Sequence, residues 1–187
     1  AERTAKIEMH KVLTLTAMLI TTPALALAQS GHSPYSGQDK REIKSLSAEE
    51  IQAYFSGEGI GLAKAAELNH YPGPRHVLDS AEELRLSKEQ IARTKEIFSR
   101  MHEEAVALGE LIVARESLLN KLFAAQDIDQ AQLESLVSDI SRLQGKLRAT
   151  HLGAHLQTKG LLSSDQVAKY DALRGYDSSQ GHDPHHR

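Results

Sequence analysis

Apolar residues recur every seven positions through the middle of the chain. Ile91, Phe98, Ala105, Ile112 and Leu119 form one register, and Met101, Leu108 and Leu122 fill the positions between. A stripe of this period is the seam along which one helix packs against another. Thr94 and Arg115 are the flaws in it. Ser87 with Gln90 three residues on is a capping box. The helix it opens is predicted to run to about Ala124, a length of about 57 Å at the helical rise. Gln126-Asp127-Ile128-Asp129 forms the turn, and Asp129 caps a second helix. There Leu133, Ile140, Leu147 and Ala154 again recur by seven, with Leu136 and Leu143 between, and the helix ends near Lys159-Gly160. Two such rods joined by a tight turn predict an antiparallel hairpin in which Leu122 faces Leu133 and Ile112 faces Leu143.

Shorter elements flank the hairpin. Gln29 to Lys44 reads as an extended polar arm. Ser47 and Glu50 form a capping box for a short helix that Gly57, Gly59 and Gly61 interrupt. Leu62 to Leu68 and Val77 to Leu84 are two further short helical segments, divided by the break Asn69 to Pro74. Ser163 caps a last helix that runs to about Arg174, where Gly175 stops it. Asp177 to Arg187 is a polar, His-rich tail. The fold class is therefore all-α: a long antiparallel hairpin with short flanking helices. A bare hairpin buries only one seam, which chain entropy makes marginal. Its second side is expected to be covered by the flanking helices, by a second copy of the chain, or by both.

The first residues read differently. Met9-His10-Lys11, the apolar run Val12 to Ile20, Pro23 and the exit Ala26-Leu27-Ala28 make a signal peptide cut after Ala28. Residues 1–8 precede Met9 and carry no structural weight. The expected organisation is a leader over 1–28, an arm with short helices over 29–76, the hairpin domain over 77–176 and the tail over 177–187. The apolar run is too short to span a bilayer, and none of spanning length follows. The mature protein is thus expected in the periplasm with no stable membrane insertion.

Charge and composition remove several functions. The net charge of −3 becomes −4 once the leader takes away three basic and two acidic residues, which disfavours non-specific nucleic-acid binding. There is no Cys, hence no thiolate nucleophile and no Cys-ligated zinc. No phosphate loop, Gly-x-Ser-x-Gly elbow or His-Glu-x-x-His motif occurs. The paired glutamates Glu49-Glu50, Glu82-Glu83 and Glu103-Glu104 read as solvated faces. No enzymatic activity and no required cofactor are expected.

The pentads Leu86-Ser87-Lys88-Glu89-Gln90 and Leu162-Ser163-Ser164-Asp165-Gln166 resemble the paired Leu-Thr-x-x-Gln signatures of the Spy/CpxP family of periplasmic stress proteins. One pentad opens the first long helix and the other follows the second, as in that family. Ser replaces Thr in both, which keeps the capping chemistry. Ala149 to His155 also looks similar to the segment before the second motif. The resemblance spans roughly Val77 to Tyr176. It implies a hairpin that dimerises into a cradle, no catalysis, and action as an ATP-independent holdase, as an inhibitor of an envelope sensor kinase, or as a sensor or buffer of transition metals. The partners it implies are unfolded or envelope client proteins, a sensor kinase and a second copy of the chain.

Histidines carry the alternative. His151 and His155 lie four apart, on one face of the second long helix. The hairpin register brings them near His102, Glu103 and Glu104. Imidazole and carboxylate ligands together would suit zinc, nickel, cobalt or copper. His182, His185 and His186 offer looser scavenging in the tail, and His70 and His76 flank the Pro-Gly-Pro turn. Arg93, Lys95, Arg100 and Arg115 are the residues from which a basic client-facing patch would be built.

Overall fold

The computed structural model describes residues 33–176. The leader and the tail histidines His182, His185 and His186 lie outside these residues. The chain divides into two compact units, 1–34 and 35–187, and every element below belongs to the second. After a single 3-10 turn, Gln38–Lys40, come six helices: α1 Ala48–Phe55, α2 Lys64–Glu67, α3 Pro74–Asp79, α4 Lys88–Ala125, α5 Gln130–Lys159 and α6 Ser164–Arg174. No strand occurs among the described residues.

The long helices α4 and α5 pack along each other as a hairpin. Their ends fall where the caps predict. Ser47, Ser87, Asp129 and Ser163 each complete a capping box with Glu50, Gln90, Gln132 and Gln166. Each box satisfies two helix-end donors that would otherwise lack partners. Ile112, Leu108 and Ala105 of α4 meet Leu143 and Leu147 of α5 in the main core. Arg115 reaches Asp139 at 3.6 Å and Arg100 reaches Gln157 at 3.2 Å, so the register holds within two residues.

The seam of α4 departs from the sevenfold register towards its N-terminus. The buried residues there are Thr94 and Ile97, while Ile91 and Phe98 are half-buried. A straight helix drifts by about 20° per heptad from a strict sevenfold repeat. Counting back from Ile112 by sevens therefore walks off the α5-facing side. Thr94 sits in the core because its hydroxyl donates to the Gln90 carbonyl at 2.7 Å, which leaves no unpaired donor. Arg115 is tolerated at the edge by its carboxylate partner.

One flank of the hairpin is covered by the N-terminal segments. The backbone of Tyr54 in α1 lies directly on Gly109 of α4, where any Cβ would overlap the Tyr54 carbonyl. The polar arm expected over Gln29 to Lys44 is anchored near its end: Ile43, with Leu46 just after it, is buried against Val113. The short helices are shorter or shifted relative to expectation. The second is only Lys64–Glu67, and the third starts at Pro74, an N1 position where the missing N–H costs nothing, and ends at Asp79. Val77, Leu84 and Tyr170 form a separate cluster that docks α6.

Candidate functional site

Residues 56–73 fold back over the histidine-bearing face of α5. His151 and His155 are both buried, and the path of the chain over them uses glycine. A Cβ on Gly59 would stand 3.5 Å from His151 Nδ1, and one on Gly73 would stand 2.9 Å from His155 Cε1. A side chain at position 73 would have to push the His155 ring aside. Between this cover and the hairpin lies a pocket of about 650 Å3. Its wall includes His102, His151, His155, Glu67 and His76, with Phe98, Met101, Ile60 and Leu68 among its apolar residues. Phe98 reaches it because of the helical drift, and its ring stacks on His102 at 5.7 Å.

The protons in this pocket can be placed in part. His155 Nδ1 is 2.7 Å from the Tyr71 carbonyl oxygen. A carbonyl only accepts, so Nδ1 carries a hydrogen and the ring is held in one orientation. His151 is 4% exposed and its Nε2 has no hydrogen-bond partner. Burial pushes its pKa below the usual histidine value, and neighbouring His155 pushes it further the same way. His76 is lowered mainly by burial and then by Arg174.

Glu67 is the acidic centre. Its Oε1 accepts from the Tyr170 hydroxyl at 2.6 Å, the Tyr176 hydroxyl at 3.2 Å and Arg174 Nε at 3.3 Å. Its Oε2 is buried, has no hydrogen bond and lies 3.6 Å from His155 Nδ1. Burial and then the Glu67 hydrogen bond push the Tyr170 phenol far up, so it remains a donor. Beside this centre His70 Nδ1 meets Asp171 at 2.8 Å, and Lys159 Nζ sits 3.9 Å above the Tyr71 ring.

The five expected metal ligands are not brought together. His102, His151 and His155 share the pocket, whereas Glu103 and Glu104 are exposed, and Glu104 borders a different surface groove with Arg100, Lys146 and Gln157. Consecutive helical residues are about 100° apart, so 102, 103 and 104 cannot share one face. Among the described residues no three His, Asp or Glu side chains converge as an ion site. Glu67, which lines the pocket together with Glu58 and Asp79, carried no signal in the sequence: it closes a four-residue helix with neither periodicity nor motif.

The two pentads meet. Gln90 Nε2 donates to Gln166 Oε1 at 2.9 Å, and Gln166 Nε2 is 3.2 Å from Gln90 Oε1. Leu86 and Leu162 pack on the Val77, Leu84 and Tyr170 cluster beside them. Three of the residues from which a basic patch would be built have polar partners of their own. Arg93 pairs with Glu89, Arg115 with Asp139, and Arg100 bonds Gln157.

Among the described residues no element packs on the hairpin's other flank. Leu111 and Leu118, seven apart on α4, are exposed on the stripe that also carries Arg115. Arg100, Glu104 and Lys146 border the groove further along the hairpin. No helix among the described residues is long and apolar enough to cross a membrane. Set against known proteins, the chain matches no family model, no curated protein and no solved structure.

Proposed function

We propose that this chain is a non-enzymatic holdase of the Spy/CpxP type, acting on unfolded or envelope proteins in the periplasm without ATP. The observation that carries the reading is the open flank, where exposed Leu111 and Leu118 lie on a stripe with the Arg115–Asp139 pair. Small apolar patches set among charges bind unfolded segments weakly enough to release them. The resemblance of the paired pentads supports the same reading, and a second copy or a sensor kinase would use the same surface. Light scattering of a denatured client tests it. The native chain at stoichiometric amounts should suppress aggregation without nucleotide, and failure across several clients contradicts the proposal.

A second reading has its own observation. His155 is oriented by the Tyr71 carbonyl, and His151 Nε2 and Glu67 Oε2 are buried without hydrogen-bond partners in the same pocket. A histidine whose other ring nitrogen is fixed by a carbonyl is the usual form of a metal-binding imidazole. A rearrangement of the cover would let a transition-metal ion engage these groups, as in a metal sensor or buffer. Calorimetry with zinc and with nickel tests this. Micromolar or tighter binding that His151→Ala abolishes supports it. Binding lost only when residues 177–187 are removed would place the metal in the tail instead.

A further inference from the structure

On the covered flank, α4 grips a piece of this chain in a manner suited to gripping other chains. Asn120 sits in the interior of α4, where its type is among the weaker helix formers. Its amide spans the backbone around Ile43: Oδ1 accepts from the Lys44 N–H at 3.3 Å, and Nδ2 donates to the Glu42 carbonyl at 3.1 Å. Bonds to main chain hold a segment whatever its side chains are. Ile43 inside this grip and Leu46 just beyond it, three residues apart in a turn closed by Leu46 N to Ile43 O, bury their side chains against Val113. Tyr54 and Ile51 pack at the rim. The Ser45 hydroxyl adds a bond to Glu116 at 2.7 Å. The segment belongs to no helix, so its hold on α4 comes from these contacts.

We propose that the Val113–Glu116–Asn120 face of α4 is a peptide-binding groove for flexible segments bearing two apolar residues three apart, occupied in cis by Glu42–Leu46 as a tethered competitor. Displacing the tether would add a second client site to the one on the open flank. This rests on the client-binding reading, yet the groove is tested apart from it. The probe is a labelled peptide with the sequence of residues 40–47, read by fluorescence anisotropy against the full-length native chain and the full-length Ile43→Asp, Leu46→Asp chain. The peptide should bind the substituted chain at least about tenfold more tightly than the native one. A peptide carrying Asp at both apolar positions should not bind. Absence of peptide binding to a substituted chain that keeps its helical signal overturns the groove. Should that chain lose its helices, hydrogen exchange on Asn120→Ala decides. Protection of residues 42–46 should fall about tenfold with α4 and α5 unchanged, and no change overturns the proposal. Peptide binding without any suppression of aggregation upholds the groove and removes the holdase. Suppression without peptide binding removes the groove and leaves the holdase to the open flank.

Discussion

Gln90 and Gln166 form a reciprocal amide pair that ties the first turn of α4 to the first turn of α6. Each also closes its own capping box, Gln90 on Ser87 and Gln166 on Ser163. Each amide further donates to a backbone carbonyl, Gln90 to Leu161 and Gln166 to Leu84. A pentad that reads as a plain helix start is therefore also half of a clasp. Its two halves lie 76 residues apart, so the clasp closes the base of the hairpin.

Because the two amides share partners, their substitutions should not be additive. Gln90→Ala and Gln166→Ala should each cost about 1–2 kcal/mol. The double variant should cost less than the sum by about 0.5 kcal/mol or more, since the second change removes bonds already lost. Urea unfolding of the four chains measures this, and strict additivity would mean the pair carries no coupling.

Core and open flank should respond differently to truncation. Leu147→Ala removes a buried side chain and should destabilise by about 2–5 kcal/mol. Leu118→Ala should stay within about 0.5 kcal/mol of the native chain, because the side chain is exposed. Thermal unfolding followed by circular dichroism separates the two.

Gly109→Ala should unseat α1. The new Cβ would overlap the Tyr54 carbonyl, which is backbone and cannot swing aside. The gain in helix propensity is about 1 kcal/mol, while forcing the helices apart costs more. The expected net loss is about 1–3 kcal/mol, with faster hydrogen exchange in residues 48–55. A stabilised variant would contradict this packing.

Acid should loosen the cover over α5. His151 is buried and held below the usual histidine value, so the unfolded chain takes up its proton first. The stability it contributes is complete above the unfolded value of about 6.5 and is lost as pH falls from there through the lower folded value. His76, also lowered by burial, acts in the same direction. Unfolding free energy measured against pH should therefore decline less steeply in His151→Gln than in the native chain. Identical slopes would show that His151 does not titrate differently on folding.

Much of this fold was legible in the sequence because helix ends are local. Ser87, Asp129 and Ser163 announce themselves with a partner three residues on, and the observed helices start after each of them. The sevenfold stripe located the core at Ala105, Leu108, Ile112 and Leu143, where helix phase and heptad phase agree. It missed Ile97 and misplaced Phe98, because the two periods diverge with distance. The pocket was legible only in part. His151 and His155 could be paired by their spacing, but Glu67 joins them through a fold-back of residues 56–73 that no periodicity records. Asn120 was silent for the same reason, since its partners lie 76 and 78 residues away.

The open flank is where the holdase reading is most exposed to failure. Leu111→Asp with Leu118→Asp places two charges on a solvent-facing stripe and should leave melting nearly unchanged. Aggregation of a denatured client should then proceed about as fast as with no added protein. Undiminished suppression by this folded variant would mean that clients bind elsewhere and that the stripe has no part in holding them.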